Sequence, residues 1–435
     1  MNIRAVGGRA FTCLRLSFAL WGLVAMGLSQ AAQPDVAVQR AAAAQKQPLI
    51  ESMREFCSIE TGSRDLEGIH RATELLAGKL RSLGGEVVFI EPSEATTYRM
   101  ADTPEKIGRM VRATFRGTGS RRILLIAHLD TVYLRGMLAR QPFRIEGNRA
   151  YGLGVADDKQ GVAMVVHVVA MLRAINFREF GTLTVLVNSD EEISSPGSRA
   201  VLAQAGAEHD AVLSFEGTRP DSDKLALATS GIASVELRVE GRASHAGSAP
   251  ERGVNALYEL SHQILQMRDL SDPQSGLKLN WTVSQAGTNR NVIPAYATAQ
   301  ADVRVLRVAD YDRIEVAVHE RARRQLIPEA RVTVTFERRR PPLEATVASR
   351  RLAAHAQTVY AEVGRTLIVD DQPEGGGTDA AFAAQRTRAP VIERFGLPGF
   401  GAHSGGEEWV ALDAIEPRLY LAARMVMDIA RGKGL

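Results

Sequence analysis

The sequence is short of several things, and each shortage removes a class of protein. It contains two cysteines in 435 residues. Cys13 falls in the N-terminal segment, which leaves Cys57 without an intramolecular partner, so the fold must stand on its apolar core. A buried structural thiol is the expected role for Cys57. Charge of one sign is also missing: 53 Lys+Arg meet 50 Asp+Glu, a formal net charge of +3. Residues 1–32 hold three arginines and no acid, so the remainder is balanced at 50 of each sign. Such a balance leaves no electrostatic footprint for nucleic acid. The apolar run from Leu16 to Leu28 falls short of the roughly 20 residues that span a membrane. Internal repeats and low-complexity tracts are absent. With 45% apolar and 24% charged residues, the composition is that of a soluble globular protein and excludes disorder.

What is present begins with that N-terminal segment. Arg4, Arg9 and Arg15 precede the Leu16–Leu28 run, and Ser29-Gln30-Ala31-Ala32 follows it. A positive flank, a short apolar stretch and small residues read as a secretory signal over 1–32, cleaved near Ala31 or Ala32. The mature protein is then expected in the periplasm or the medium, free of the membrane.

The length exceeds one ordinary core, so more than one domain is expected. Residues 35–84 read as helical, with Gly84-Gly85 stopping the second helix before a strand at Glu86–Ile90. Ile123–Ala127 and Leu183–Asn188 are continuous apolar runs of strand length, suited to strands buried on both faces. Gly161–Ala174 between them reads as a buried helix, and strands alternating with helices argue for an α/β layered domain. From 231 to 338 the order is β-α-β-β-α-β, a self-contained split motif. The simplest organisation is a small domain at 231–338 inserted into a larger one formed by 33–230 and 339–435.

Chemistry gathers at the ends of the apolar runs. His128 and Asp130 follow the first; two apart on a strand, they face the same way. This is either a turn or an imidazole ligand with a carboxylate orienting it. Asp157 and Asp158 follow a Gly-rich loop at the start of a helix. They read as helix caps or as a carboxylate bridging two metals; a dinucleotide loop is excluded because the third glycine is missing. Asp190-Glu191-Glu192 ends the second run. Three adjacent acids repel unless something positive neutralises them, so this is a solvated loop or a metal ligand beside a general base. Glu216 ends the apolar Ala211–Phe215, and His403 sits in a Gly-rich loop. Taken together, two imidazoles and several carboxylates at strand ends suggest a binuclear centre with mixed nitrogen and oxygen ligands, which suits zinc.

The ordered motifs HLD (128–130), GLGVADDKQG (152–161), DEE (190–192), SFEG (214–217) and GAHS (401–404) resemble those of the M20 metallopeptidases. The stretches ASHAG (243–247), GGGTDA (375–380) and GLPGFG (396–401) extend the likeness, which is closest to the bacterial glutamate carboxypeptidases, or folate hydrolases. The resemblance covers essentially all of the chain beyond the signal. It implies a zinc-peptidase-like α/β catalytic domain with a mixed central sheet and a ferredoxin-like inserted domain used for dimerisation. It implies two zinc ions per subunit, with Asp157 bridging, His128 and Glu216 on one metal and Glu192 and His403 on the other. Asp130 would orient His128, and Glu191 would be the general base. His245 would be lent to the partner subunit's site, which makes a homodimer part of the catalytic unit. Arg340, Arg304, Asn291, Lys224 and Gly377 match substrate-binding positions, with Arg340 the choice for the substrate α-carboxylate and Lys224 for a glutamate side chain. The implied activity is hydrolysis of the amide bond to a C-terminal amino acid in small peptides or N-acyl amino acids, glutamate first. Two positions differ from the glutamate enzymes, with Ala226 and Glu374 standing where those carry hydroxyl residues, and Glu374 is expected to pair with Lys224. The alternatives are an aminoacylase or dipeptidase of the same family, and a catalytically inactive binding relative, against which Glu191 and the five ligand residues argue.

Overall fold

The structure, a computed structural model, describes residues 33–220 and 222–435. The signal-like segment at 1–32 lies outside the described residues. The central sheet has six strands in the order Glu86–Ile90, Met110–Arg116, Thr182–Asn188, Arg122–His128, Ala211–Ser214, Val391–Ile392. The first two pairings are antiparallel; the other three are parallel. The sheet is therefore mixed, as the resemblance implies.

The apolar runs explain its position. Side chains alternate across a strand, so a strand covered on both faces must be apolar throughout. In Arg122–His128, Ile123, Leu125 and Ala127 join one core cluster with helices Val36–Cys57, Gln160–Ala174 and Ile415–Ala430. Leu124 and Ile126 point the other way, into a second cluster with Leu202, Ala205 and the Ala380–Ala383 helix. The helical text at 35–84 resolves into Val36–Cys57 and Leu66–Ser82. Gly84, in the left-handed region at φ +89°, follows the second helix. Among the described residues no helix is long and apolar enough to cross a membrane.

A second sheet of four strands runs in the order Lys278–Ala286, Tyr296–Val305, Gly231–Glu240, Arg331–Arg340, antiparallel throughout. Helices Ala256–Gln266 and Ala309–Ala322 cover one face through Leu260, Ile314 and Val318. Its core is separate from the other two clusters, and Ala233, Val235, Leu237 and Val239 line it at alternate positions. The last strand runs past the end read from the sequence. A register shift between Arg338 and Arg340 lets it continue to Arg340, which is buried. That extension carries a cation from the smaller sheet into the larger domain.

The three parallel strands Arg122–His128, Thr182–Asn188 and Ala211–Ser214 all end at the same edge, where open α/β sheets place their ligands. This edge depends on a close-packed interior. Leu125→Ala, at a fully buried position, is expected to cost about 2–5 kcal/mol, read as a lower midpoint in urea unfolding.

Candidate metal centre

Parallel pairing sets His128 directly against Asn188, so the loops after both strands leave the sheet side by side. The loop before helix Gln160–Ala174 and the first turn of that helix each need a glycine. Gly154 is left-handed at φ +73°, and a Cβ on Gly161 would fall 2.3 Å from Asp158 Oδ1 and 2.4 Å from the Phe215 carbonyl. Only glycine there lets the Asp157-Asp158 turn press against the strand that delivers Glu216.

Two groups of donors result. His128, Asp157 and Glu216 form one, and Asp157, Glu192 and His403 the other; within each, ligand atoms lie within 4.8 Å of one another. Asp157 belongs to both. His128 Nε2 is 2.9 Å from Asp157 Oδ1 and 3.4 Å from Glu216 Oε1. His403 Nε2 is 3.2 Å from Asp157 Oδ2 and 3.1 Å from Glu192 Oε2. Behind them lies Asp130, fully buried. Its backbone carbonyl is 3.1 Å from His128 Nδ1. Its carboxylate accepts from Ser63 Oγ at 2.8 Å and from the Glu191 and Glu192 amides at 3.0 and 3.1 Å. One acid thus holds both the imidazole and the acidic turn.

The electrostatics fit a cation. Burial, with Asp157 adding to it, raises the Glu192 carboxyl to about 7 despite His403. Burial also pushes Glu191 and Asp158 well above the ordinary carboxylate range. His403 is raised to about 11 by its bonds to Asp157 and Glu192. For His128, burial opposes protonation, but Glu216, Asp130 and Asp157 outweigh it and lift it well above its usual value. Glu192 Oε1 is buried with no hydrogen-bond partner. Acids that collect protons around an unsatisfied oxygen are what a site for positive charge looks like. The residues fit a pair of divalent cations, with three donors on each side and Asp157 shared.

Glu191 has its own surroundings. Its Oε1 is 2.8 Å from Arg340 Nη1, and its backbone carbonyl accepts from Arg340 Nη2 at 2.7 Å. Arg340 Nη1 also binds Asp379 Oδ1 at 3.0 Å. Arg340 is therefore neither surface charge nor an open anchor. Its neighbours are paired as well: Arg338 with Asp312 and Glu315, and Arg339 with Asp102 and Glu337. A Cβ on Gly377 would meet Arg340 Cδ at 2.8 Å, so that glycine seats the arginine. Arg304 binds Asp302 and the Gly375 carbonyl. Lys224 does face Glu374, its ion-pair partner, and lies 3.7 Å from Asp370.

His245 and Asn291 lie apart from the centre. The pair Ser244–His245 and Val292–Ile293 forms a small ribbon, and the Asn291 carbonyl accepts from Ala246. His245 is exposed, and its Nδ1 accepts the amides of Gly247 and Ser248 at 3.1 Å each. Cys57 is buried in the core with its thiol pushed up to about 12 by burial, so it is no nucleophile.

Reading the sequence missed Glu408. This buried carboxylate accepts the amides of Gly154 at 2.9 Å, Ala156 at 2.7 Å and Asp157 at 3.1 Å, and the Tyr133 hydroxyl. It is the clamp that shapes the loop carrying Asp157. Its one sequence signal is its place beside the short apolar strand Trp409–Ala411, and nothing there marks it from Glu407. Gln160 was missed too: its side chain ties Asp158, the Phe215 carbonyl and the Leu397 amide together.

A carboxylate shared by two donor sets, with an unshared glutamate beside it, is the arrangement of metal-dependent hydrolases that use two ions. The family profile for "Peptidase family M20/M25/M40" matches residues 124–428. Carboxypeptidase G2 of Pseudomonas sp. (strain RS-16) is 43% identical over 407 residues, 94% of this chain and 95% of that protein. The chain belongs to the M20/M25/M40 peptidase family, and it is a metallocarboxypeptidase or amidohydrolase with the family's dependence on a dinuclear metal centre. Among solved structures, aminopeptidase PepT from Bacillus cereus ATCC 10987 aligns with a TM-score of 0.72 at 20% identity, over 88% of this chain and 99% of that one. The Bacillus subtilis YXEP protein, described as a dinuclear metal binding peptidase from the M20 family, aligns at 0.63 and 17%, over 89% and 99%. At those identities the likeness concerns the fold.

Removing a partner of a ligand's backbone commonly costs 10–100-fold in metal affinity. Glu408→Ala orphans three amides beside Asp157 and is expected to lose bound metal by about that factor, measured by elemental analysis after dialysis against a weak chelator. Unchanged retention in a folded variant would remove Glu408 from the centre.

Proposed function

We propose that the chain is an exported two-zinc carboxypeptidase that hydrolyses the amide bond to a C-terminal amino acid, glutamate first, in folate-type or N-acyl-glutamate substrates. One observation carries it: Glu191 lies among the donors yet belongs to neither donor set. Two imidazoles and three carboxylates suit zinc. His128 and Glu216 would hold one ion, Glu192 and His403 the other, with Asp157 common to both donor sets. Ions held there would supply Lewis acidity to the scissile carbonyl and would lower the pKa of a water near them.

The rest falls to the side chains. Glu191 takes the proton of the attacking water and returns it to the leaving amine; burial raises its carboxyl above the ordinary carboxylate range, the direction a general base needs. Arg340 reads the substrate α-carboxylate through Nη1, while Nη2 stays on the Glu191 carbonyl. That carboxylate displaces the Glu191 side chain from Nη1, which frees Glu191 for its proton. Asp130 keeps His128 and the acidic turn in place.

His245 reaches the site of a second subunit. With Nδ1 accepting two amides, the ring proton is assigned to Nε2, where it can donate to a developing oxyanion. Asn291 adjoins that ribbon, and Arg304 lies on the four-stranded sheet. Helix Ala256–Gln266 exposes Leu257, Tyr258 and Leu265, and Lys278–Ala286 is a free edge strand; together they form a face suited to a homodimer. The pairing of Glu374 with Lys224 favours a second reading, an aminoacylase or dipeptidase selecting another side chain.

Amino-acid release from a panel of N-acyl amino acids by the zinc-loaded protein decides between these readings. Glutamate released fastest supports the first, and a neutral residue released fastest supports the second. Glu191→Gln is expected to keep both zinc ions and lose about 10²–10⁴ in turnover; near-normal rates in a folded variant remove Glu191 as the base. Mixing Glu191→Gln with His245→Ala subunits is expected to restore activity, because hybrid dimers regain one intact site. Absence of recovery despite proven subunit exchange argues against a shared site.

A further inference from the structure

A cavity of about 470 Å³ opens directly against Asp157 and Glu216. Its other walls are Gly217 to Pro220, Gly399 to Ala402, and Arg394, so Phe400 and Pro220 give it an apolar side while Arg219 and Arg394 give it a cationic one. Lys224, the residue matched to a glutamate side chain, does not line it.

Arg394 is built in. Its backbone is left-handed at φ +72°, a conformation that a non-glycine residue keeps only when its surroundings impose it. Those surroundings are visible. Its amide donates to Glu393 Oε1 at 3.1 Å, and its carbonyl accepts from the fully buried Arg418 at 3.0 Å. The side chain is 19% exposed, and Nη1 meets Glu374 Oε2 at 2.7 Å. Among the described residues Nε and Nη2 form no hydrogen bond, which leaves an edge of the guanidinium free.

Glu374 couples this residue to the rest of the cluster. One of its oxygens takes Lys224, the other takes Arg394, and Arg219 lies 3.8 Å away. Burial works against its ionised form, but Lys224 and Arg394 outweigh it and hold the carboxyl at about 2. Counting Asp370 beside Lys224, the cluster has three cations and two acids. It stays net positive. Glu374 therefore does not simply neutralise Lys224; it lets a second cation pack against the first and fixes where that cation points.

We propose that Arg394 determines specificity by binding a carboxylate on the side chain of the released amino acid, with Glu374 as its positioning residue. The idea rests on the carboxypeptidase reading above and names its substrate class: amino acids with an anionic side chain. A planar guanidinium with a free edge offers a carboxylate two parallel hydrogen bonds, and the apolar wall accommodates the methylenes that carry it.

The test compares N-acyl-glutamate with the isosteric N-acyl-glutamine, same acyl group, on the zinc-loaded protein. Arg394→Asn is the main variant, because asparagine tolerates the left-handed backbone; Arg394→Lys keeps the charge without the fork. Wild type is expected to prefer glutamate. Arg394→Asn is expected to reduce the glutamate-to-glutamine ratio of kcat/KM at least tenfold, almost wholly through the glutamate arm, and Arg394→Lys to keep part of it. Glu374→Gln is expected to lower the ratio too. An unchanged ratio in Arg394→Asn, with metal content and Tm preserved, overturns the proposal, and a higher ratio in Glu374→Gln overturns the positioning role. Equal release of both amino acids by wild type leaves the carboxypeptidase reading standing and removes Arg394. Release of neither, with metal in place, removes both.

Discussion

Mutual repulsion among buried carboxylates is the constraint around which this molecule is arranged. Asp130, Asp157, Asp158, Glu191, Glu192 and Glu216 crowd one edge of the central sheet, most of them with little access to water. Desolvating one carboxylate already costs several kcal/mol, and neighbours of the same sign add to it. The structure answers with directed hydrogen bonds: backbone amides to Asp130 and Glu408, imidazoles to Asp157, and a buried guanidinium to Glu191. What remains unanswered is the excess negative charge between the two imidazoles, and a pair of divalent cations answers it. Stability and chemistry are coupled here, since the same ions that hold the acids together give them their use.

Arg340 links the two parts of the molecule through that same edge. It belongs to the last strand of the smaller sheet, yet its charge is spent on Glu191 and Asp379 of the larger domain. Asp379 in turn accepts from Ser195 and Asn188, so the arginine is joined to the strand that carries the acidic turn. The smaller sheet is thus fastened to the acidic turn at Glu191.

Specificity has a different physical origin. The metal centre is shaped by acids that must be kept apart, whereas the adjoining cavity is shaped by cations that must be kept together. Lys224, Arg394 and Arg219 would repel one another without Glu374 between them. An acid that reads in isolation as a competitor for substrate becomes, with Arg394 on its other oxygen, a spacer. That difference of one contact reverses the expected effect of the residue.

How much of this the chain itself determined follows the range of each interaction. Apolar runs of strand length, the Gly84 stop and the alternation in Gly231–Glu240 are local, and they place the strands and helices within a few residues of where they occur. The acids and imidazoles at the ends of those runs are legible for the same reason: a polar residue that closes a buried strand must emerge at the sheet edge, so His128, Glu192 and Glu216 had to meet if the strands were parallel neighbours. Glu408, Gln160 and Arg394 were not legible. Each acts through a partner at least 20 residues away, Glu408 on an amide 254 residues earlier, Gln160 on Leu397 and Arg394 on Glu374. Nothing in the flanking residues separates them from ordinary surface polar groups. The sequence determined which groups could do the chemistry; tertiary structure alone decided which acids hold a loop, which arginine is already paired and which cation is left to face a substrate, because those outcomes depend on burial and on partners distant in the chain.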